Sequence, residues 1–236
     1  SAKATLGTGS SILLNTGSKP VFSEHGMVTT ICWSIGDRVD YALEGVIVTC
    51  GATVEWLKNQ LGLFMESRET EKMATSVPDN NGVYLVPAFS GLGAPHWKMD
   101  AKAMITGLTF GADKNHLVRA ALESIPFQIK DVISAMETES KTPLEELKID
   151  GGISANRFVV QMMADLLHTP VVNIGIADVS ALGAALVAGM EEGIYKDIDE
   201  LGIVHQEQHS TQPDSTTMEA ANLSYDGWKE QIRRHF

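Results

Sequence analysis

The sequence LKIDGGISAN, residues 147–156, constrains the fold more than any other part of this chain. It joins a short apolar run to two adjacent glycines and then to a helical pattern, whose apolar residues are Phe158, Val159, Met162, Met163, Leu166 and Leu167. Gly151 and Gly152 have no Cβ atom, so a flat ring or a phosphate can approach the main chain closely. The free N–H groups at a helix start favour anionic or polar ligand atoms. A tight strand-to-helix turn without a ligand explains the same residues equally well, because Gly-Gly turns are common.

A second glycine-rich corner lies near the start of the chain. Residues 4–6 and 11–15 are strand-like, and the sequence Gly-Thr-Gly-Ser between them is typical of a small hairpin turn. This turn exposes successive N–H groups and the hydroxyls of Thr8 and Ser10, an arrangement that can hold a phosphate. An ordinary hairpin is the alternative interpretation. Gly51 lies at a further helix entry, because it follows an apolar run and precedes a helical pattern.

The rest of the pattern predicts an α/β domain. Strand-like runs occur first as hairpins and then alternate with helices, which is typical of a mixed sheet covered by helices on both faces. We predict further strands at residues 28–33, 39–43, 83–87, 104–108, 147–150 and 171–174. We predict helices after Gly51 and after Gly152, at residues 66–74, 113–139 and 218–234, and from residue 179 to near Gly189 or Gly193, with 206–217 as polar loop. Asp113 is a good N-cap, and Pro126 should kink the helix that contains it.

One long loop, residues 88–99, contains His96 and Trp97. These two side chains either contact a substrate or pack the loop against the domain. We favour packing, because aromatic pairs in long loops more often serve that purpose.

Composition narrows the classes of function. The chain has 236 residues, is 44% hydrophobic, and carries a net charge of −12. The length suits one large domain or two small ones. A negative field of this size repels nucleic acid and anionic membranes, so we expect neither as a partner. It does not exclude ATP, which binds locally through backbone amides and a metal ion.

Cys32 and Cys50 both lie in apolar, strand-like stretches. They are typical of buried thiols in a reducing compartment, and they make a poor zinc site because no histidine cluster accompanies them. No apolar run reaches about 18 residues, so we expect no membrane span. No signal peptide is visible, and we expect a cytoplasmic location. The chain opens directly on a strand, which indicates either an excised domain or a processed start at Ser1.

Several motifs together resemble one enzyme family. The order of a Gly-Thr-Gly hairpin, a long helix and strand-Asp-Gly-Gly-helix-Asn is similar to the second ATPase domain of the actin, Hsp70 and sugar-kinase superfamily. Residues 103–108 (AMITGL) and 116–123 (HLVRAALE) resemble the signature of the FGGY family of carbohydrate kinases. Residues 41–45 (YALEG), 86–95 (VPAFSGLGAP) and 180–185 (SALGAA) resemble the branch that acts on glycerol. The resemblance implies a ribonuclease H-like, actin-like ATPase domain spanning residues 1–236, the C-terminal half of a two-domain kinase.

The resemblance also implies residue roles around ATP or ADP. Thr8, assisted by the amides of Gly7 and Gly9, contacts the nucleotide phosphates, and Gly51 lies near the phosphates and ribose. The adenine side is expected at Gly151, Gly152 and Asn156, with residues 180–183 as a further wall. Asp150 positions the turn. Glu55 stands where glycerol-phosphorylating members commonly carry Gln, which weakens contact with an anionic nucleotide unless Glu55 points away or meets the ribose.

Two departures from the family pattern concern the substrate and the catalytic base. Where the hairpin usually continues Cys-Phe, with the ring touching glycerol, this chain has Ser10 and Ser11. Ser11 opens room and adds a hydroxyl, which suggests a different or larger polyol. The family's general-base Asp is expected upstream of Ser1, so no catalytic residue is assigned here. The magnesium-holding carboxylates are expected in the N-terminal domain, so no metal ligand is assigned either.

The implied reaction is ATP-dependent phosphorylation of glycerol, or of a related polyol or sugar, to glycerol 3-phosphate and ADP in the case of glycerol. Another polyol or ketose, such as erythritol or xylulose, is the first alternative as substrate. A non-catalytic actin-like module is the second. We expect this chain alone to be inactive, and the full-length enzyme to be a homo-oligomer that binds its small-molecule substrate between the N-terminal kinase domain and this one.

Overall fold

The computed structural model describes residues 2–176, 179–197, 200 and 209–236. Its strands are β1 Ala2–Leu6, β2 Ser10–Gly17, β3 Val28–Ile35, β4 Arg38–Ile47, β5 Tyr84–Val86, β6 Met104–Thr106, β7 Leu147–Asp150, β8 Val171–Asn173 and β9 His209–Thr211. Its α-helices are α1 Gly51–Asn59, α2 Glu69–Thr75, α3 Lys114–Ser140, α4 Arg157–Leu167, α5 Val179–Glu191 and α6 Met218–His235. A short 3₁₀ helix, Gly152–Ala155, precedes α4.

Seven strands form one mixed sheet in the order β3-β4-β2-β1-β7-β8-β9. β7 is parallel to both β1 and β8, and the other neighbouring pairs are antiparallel. β5 and β6 form a separate antiparallel pair. The parallel pairing follows from the connections, because β7 reaches β8 through α4 and parallel neighbours need such a crossover. This architecture confirms the predicted α/β class and the mixed sheet flanked by helices.

One face of the sheet packs against helices. Side chains alternate along a strand, and the inward set of β1, Ala2, Ala4 and Leu6, belongs to a hydrophobic cluster that also includes buried residues of α3 and α4. On β4 the approach of α3 is so close that a Cβ on Gly45 would lie 2.3 Å from Val132 Cγ1. Residues that alternate with this set, such as Lys3 and Glu44, therefore point to the opposite face of the sheet.

The long helix α3 forms the centre of the domain. Asp113 caps its start as predicted, because its carboxylate accepts hydrogen bonds from the amides of Asn115 and His116. The helix continues through Pro126, and a kink there stays a prediction. Near its middle the buried Glu123 accepts hydrogen bonds from Arg119 at 2.8 Å and Asn80 at 2.9 Å. The bond from Asn80 ties the helix to the segment before β5.

The C-terminal helix α6 is attached through a buried carboxylate on α3. Asp131 accepts hydrogen bonds from Tyr225 and, at 3.1 Å, from Trp228 Nε1. Burial, followed by the charge of Asp131, raises the pKa of Tyr225. His96 Nε2 lies 2.9 Å from the same carboxylate, and Trp97 Nε1 donates to the Gly26 carbonyl at 2.6 Å. The packing interpretation of His96 and Trp97 agrees with these contacts.

The structure corrects three details of the predicted elements. Residues 209–211, predicted as loop, form β9, because they pair with β8 along the sheet edge; residues 206–208 of that predicted loop lie outside the described residues. β4 runs on to Ile47, since Gly45 pairs with Ile12. The turn after Asp150 leads into the 3₁₀ helix, and α4 begins only at Arg157.

Candidate functional site

The Gly-Thr-Gly turn docks onto the start of α1. The Thr8 carbonyl accepts hydrogen bonds from the amides of Cys50 at 2.8 Å and Ala52 at 3.1 Å, and the Gly7 carbonyl accepts one from Gly51 at 2.9 Å. A Cβ on Gly51 would lie 2.7 Å from the Gly7 carbonyl oxygen, so only glycine permits this approach. The turn is thereby fixed at a helix N-terminus, although the first helix amides already have partners. The Thr8 side chain is exposed, and its hydroxyl makes no hydrogen bond within the described residues.

Cys50 lies beneath this turn. It is 1% exposed, and burial raises the pKa of its thiol to about 12, while a hydrogen bond from the Gly51 amide acts in the opposite direction. The thiol is therefore neutral at physiological pH and inert as a nucleophile. Its contribution is packing, as its sequence position predicted.

The Gly-Gly corner contains two glycines with different roles. Gly151 has a φ of +90°, and a Cβ there would lie 2.5 Å from the Leu6 carbonyl oxygen. Gly151 therefore lets β7 end directly beside β1. Around the Cβ position of Gly152 no atom of the described residues lies within 4 Å. Gly152 is thus the open position of the pair, the one at which a ligand can approach the main chain.

Both corners face one cleft. A cavity of about 410 Å³ is lined at one end by Leu6, Gly7, Thr8, Gly51 and Ala52 and at the other by Gly152 and Ile153. A second cavity, of about 310 Å³, continues from it and shares Val54, Ser67, Gly152 and Ile153. These volumes are in the range of small-molecule and cofactor sites. The shared lining means that a single elongated ligand can reach from Thr8 to Asn156.

One wall of the cleft was not foreseen from the sequence. Residues 65–81 are polar and mixed in charge, a composition typical of a surface segment, yet Ser67, Arg68, Thr70 and Glu71 line the second cavity. Glu71 is held there because it accepts hydrogen bonds from the main-chain amide and the side chain of Arg157. The polar composition of this segment carried no signal of its position. Its packing against α3 and α4 brings it to the cleft.

Asn156 and Glu55 have partners that restrict what they can offer a ligand. Asn156 caps α4, because its Oδ1 accepts from the Val159 amide at 3.2 Å, and its Nδ2 donates to Thr70 Oγ1 at 3.2 Å. Glu55 accepts from the Ser67 hydroxyl at 3.0 Å and from Asn59 at 3.3 Å. Both donors are neutral, so they fix the position of this carboxylate at the rim of the cleft.

The remaining predicted site residues lie around the cleft. Gly9 packs against β4, where a Cβ would be 2.7 Å from the Ile47 carbonyl oxygen. Gly151 lines an adjoining groove of about 330 Å³ with Gly152 and Asn173. Ser11 lies on β2 and donates a hydrogen bond to Glu44. Residues 180–183 are on α5 and line none of these cavities.

The cleft offers main-chain and hydroxyl groups for an anionic ligand, but no carboxylate cluster for a metal. Asp150 is buried, and its Oδ2 is paired with Lys3 Nζ at 3.1 Å, consistent with a role in the turn. Among the residues that the structure describes, no group of three or more His, Cys, Asp or Glu side chains could hold a metal ion. No helix of the described ranges is long and apolar enough to cross a membrane.

Comparison with known protein families identifies the family of this chain. The model of the C-terminal domain of the FGGY family of carbohydrate kinases matches residues 2–192. The chain belongs to this family. The glycerol kinase of Trichlorobacter lovleyi is 45% identical over 232 residues, which is 98% of this chain and 47% of that protein. Glycerol kinase 2 of Thermotoga maritima is also 45% identical over 232 residues, with the same coverage of 98% and 47%. The FGGY chain thus spans about half the length of the curated relatives it matches.

Solved structures of FGGY kinases show the same fold. The crystal structure of Plasmodium falciparum glycerol kinase with ADP matches with a TM-score of 0.87 and 34% identity, over 100% of this chain and 47% of that one. A ligand-bound xylulose kinase from Lactobacillus acidophilus matches with a TM-score of 0.85 over 99% of this chain and 46% of that one. At 22% identity the xylulose kinase shows the fold alone. The domain therefore has the actin-like, ribonuclease H-like ATPase fold of sugar kinases.

Proposed function

We propose that this chain is the nucleotide-binding, C-terminal half of an ATP-dependent kinase that phosphorylates glycerol or a related polyol. The observation that carries the proposal is the single cleft shared by Thr8 and Gly152. Two comparisons support it: relatives at 45% identity are glycerol kinases, and a matching structure at 34% identity contains ADP. We infer that residues 1–236 form one domain and that a second kinase domain completes the cleft.

We expect the nucleotide to lie in the cleft in one direction. The turn at Gly7, Thr8 and Gly9 would hold the phosphates through the main-chain amides of Thr8 and Gly9 and through the Thr8 hydroxyl, because such turns bind anions. The amides of Gly7 and Gly51 already donate to the Gly9 and Gly7 carbonyls, so these two glycines would allow the close approach rather than donate to the phosphates. Gly152 and Asn156 would line the adenine side, and the apolar side chains of Val54 and Ile153 offer a surface for a flat ring. Gly151 would shape this corner without contacting the ring, and Glu55 would meet the ribose at the rim.

The reaction places few chemical demands on this half. Phosphoryl transfer depends mainly on positioning and on stabilising charge, which the amides at the hairpin turn supply. A magnesium ion would supply charge stabilisation to the phosphates, but no group of three or more His, Cys, Asp or Glu side chains among the described residues fits it. The proposal therefore assigns no magnesium ligand to this half and expects the carboxylates in the other domain. The general base that accepts the hydroxyl proton also belongs there. Closure of the two domains would exclude water and limit ATP hydrolysis.

Helix α5 provides a surface for the second domain. Its sequence, VSALGAALVAGME, is almost entirely apolar, yet Gly189 is its only buried residue within the described part of the helix. Val187 is 47% exposed. Exposed apolar surface of this extent indicates an interaction site. We therefore expect α5 to pack against the N-terminal half. A cytoplasmic homo-oligomer, with no nucleic-acid partner, stays part of this proposal.

A different polyol or a ketose is the second candidate substrate, and Ser11 favours it. Where an aromatic ring is expected on the hairpin, the small Ser11 side chain leaves space for a substrate longer than glycerol. A non-catalytic actin-like module is disfavoured by the family signature at residues 103–123.

Calorimetry and a coupled assay on the full-length enzyme test the proposal. We expect ATP and ADP to bind at one site per chain, and ADP to be released when glycerol, erythritol or xylulose is added. Binding of neither nucleotide would refute the assignment of the cleft. Binding without phosphorylation of any polyol or ketose would favour the non-catalytic module.

A further inference from the structure

Ser11 and Glu44 form a polar pair on the face of the sheet that α3 does not cover. Ser11 Oγ donates a hydrogen bond of 2.7 Å to Glu44 Oε1. The residues that alternate with them, Ile12 and Gly45, pair with each other and point toward α3. Ser11 and Glu44 therefore point away from the helices. Both side chains are only partly buried, so a ligand can reach them.

This pair lies beside the turn that would hold the phosphates. Ser11 is three residues from Thr8, so the two are at most about 10 Å apart along the hairpin. Glu44 is joined to Ser11 by the hydrogen bond and is paired through its main chain with Leu13 and Val28. An acceptor molecule that receives a phosphoryl group on a hydroxyl near Thr8 could therefore reach Glu44 with its other end.

The pair presents hydrogen-bond acceptors and no free donor. The Ser11 proton is used by Glu44, which leaves the Ser11 oxygen as an acceptor. Glu44 Oε2 makes no hydrogen bond to any residue that the structure describes. Lys3, a cation on the same face, is engaged by Asp150 and lies about 10 Å from Glu44, two strand spacings away. Leu13 and the 44% exposed Val28 border the carboxylate with apolar surface.

Such a surface selects one chemical class of substrate. Neutral polyols supply O–H donors to the free acceptors and carbon atoms to the apolar border, whereas a sugar acid would bring a second negative charge against Glu44. We propose that Glu44, positioned by Ser11, is a specificity-determining residue that accepts a hydrogen bond from a hydroxyl remote from the one phosphorylated. Glu44 itself belongs to the motif at residues 41–45 that resembles the glycerol-acting branch, so the preference comes from the small Ser11, which leaves the carboxylate open to a neutral polyol of four or five carbons. This inference rests on the proposed function, because it requires the acceptor to be phosphorylated at the hairpin turn.

The test compares three variants of the full-length enzyme with glycerol, erythritol and ribitol as acceptors. Glu44→Gln keeps the shape and removes the charge, Ser11→Ala removes the alignment, and Glu219→Gln changes an exposed carboxylate on α6 as the matched control. We expect the first two variants to raise KM for erythritol or ribitol about 10- to 100-fold, the loss expected for one charged hydrogen bond. kcat should change less than threefold, and KM for ATP should stay within twofold. Glu219→Gln should match wild type.

The outcomes separate this inference from the proposed function. If wild type phosphorylates no polyol, both fail. If wild type is active but prefers glycerol over the longer polyols, or if Glu44→Gln leaves KM for every acceptor unchanged, the inference fails and the proposed function stands. A rise in KM for ATP equal to the rise for the acceptor would also overturn it, because a general disturbance of the hairpin would then explain the result. Thermal unfolding of each variant controls for misfolding.

Discussion

Substituting Gly152 tests whether the cleft binds a nucleotide. No atom of the described residues lies within 4 Å of the position that a Cβ would occupy, so a side chain there enters the cleft without a clash. The backbone at Gly152 is not in the left-handed region, unlike that at Gly151. Gly152→Ala should therefore leave stability unchanged or raise it by about 0.4–1 kcal/mol through the unfolded state. Gly152→Trp should fill the adenine end of the cleft at little cost to the fold.

The size of the effect follows from the surface that the indole would displace. An aromatic ring system buries about 150 Å² or more when it is enclosed, which at about 25 cal/mol per Å² is worth about 4 kcal/mol. Loss of this contact corresponds to about a thousandfold rise in the Kd for ATP, since each 1.4 kcal/mol is about tenfold. Because the indole can swing partly aside, we expect the Kd for ATP to rise by at least about a hundredfold. Gly152→Ala, which adds one methyl group, should change Kd by less than about tenfold.

Isothermal calorimetry with ADP, together with thermal unfolding without nucleotide, measures both consequences. Gly151→Ala is the matched control, because its Cβ would lie 2.5 Å from the Leu6 carbonyl oxygen at a φ of +90°. That variant should lose at least about 2 kcal/mol of stability, from left-handed backbone strain and the clash. A Gly152→Trp variant that is as stable as wild type and binds ADP with unchanged affinity would refute the nucleotide cleft.

Three further predictions concern stability, pH and activity. Burial raises the pKa of Glu139, but hydrogen bonds from Ser23 and from the amides of His25 and Glu24 outweigh it and lower the pKa to about 2. The carboxylate therefore stabilises the fold above about pH 4.5, and this is lost as pH falls toward 2. In denaturant unfolding at pH 7, the free energy of unfolding of Glu139→Gln should be lower than that of wild type by about 1–3 kcal/mol. This difference should disappear near pH 2, and a difference that does not change with pH would contradict the prediction. Ser10→Ala should raise the free energy of unfolding by about 1 kcal/mol, because the buried Ser10 hydroxyl has no partner within the described residues, and a loss of stability would count against that account. The isolated chain, folded by circular dichroism, should transfer no phosphate from ATP to glycerol; measurable transfer would show that the base and magnesium ligands were misplaced.

Local sequence was sufficient for most elements because each carries its own signal. β7 spans residues 147–150 as predicted, since an apolar run ends there at a glycine pair. α3 starts after Asp113 because that side chain satisfies the first amides, a local interaction that the residue type indicates directly. Gly51 begins α1, also as predicted. These features depend on neighbours a few residues away, so they can be read without knowing the fold.

The sequence carried no comparable signal for which strands pair or for which residues line the cleft. β9 is polar and short, and it becomes a strand only because the edge of β8 offers main-chain groups to pair with. Residues 67–71 have the composition of a solvated segment, and their position at the cleft results from the packing of α2 against α3 and α4. The prediction that Ser11 marks the substrate side did not include Glu44, because the two residues are 33 positions apart and meet only through the register of β2 and β4.

The sequence by itself determined most strand and helix segments, the two glycine corners and the family. The tertiary structure decided that the corners share one cleft, that Gly151 serves the fold while Gly152 stays open, and that a serine hydroxyl aligns a carboxylate on the face of the sheet opposite α3. The physical reason is that helix periodicity, capping and turn formation depend on nearby residues. A cleft depends on the order, register and twist of strands that are distant in the chain, which no local pattern specifies.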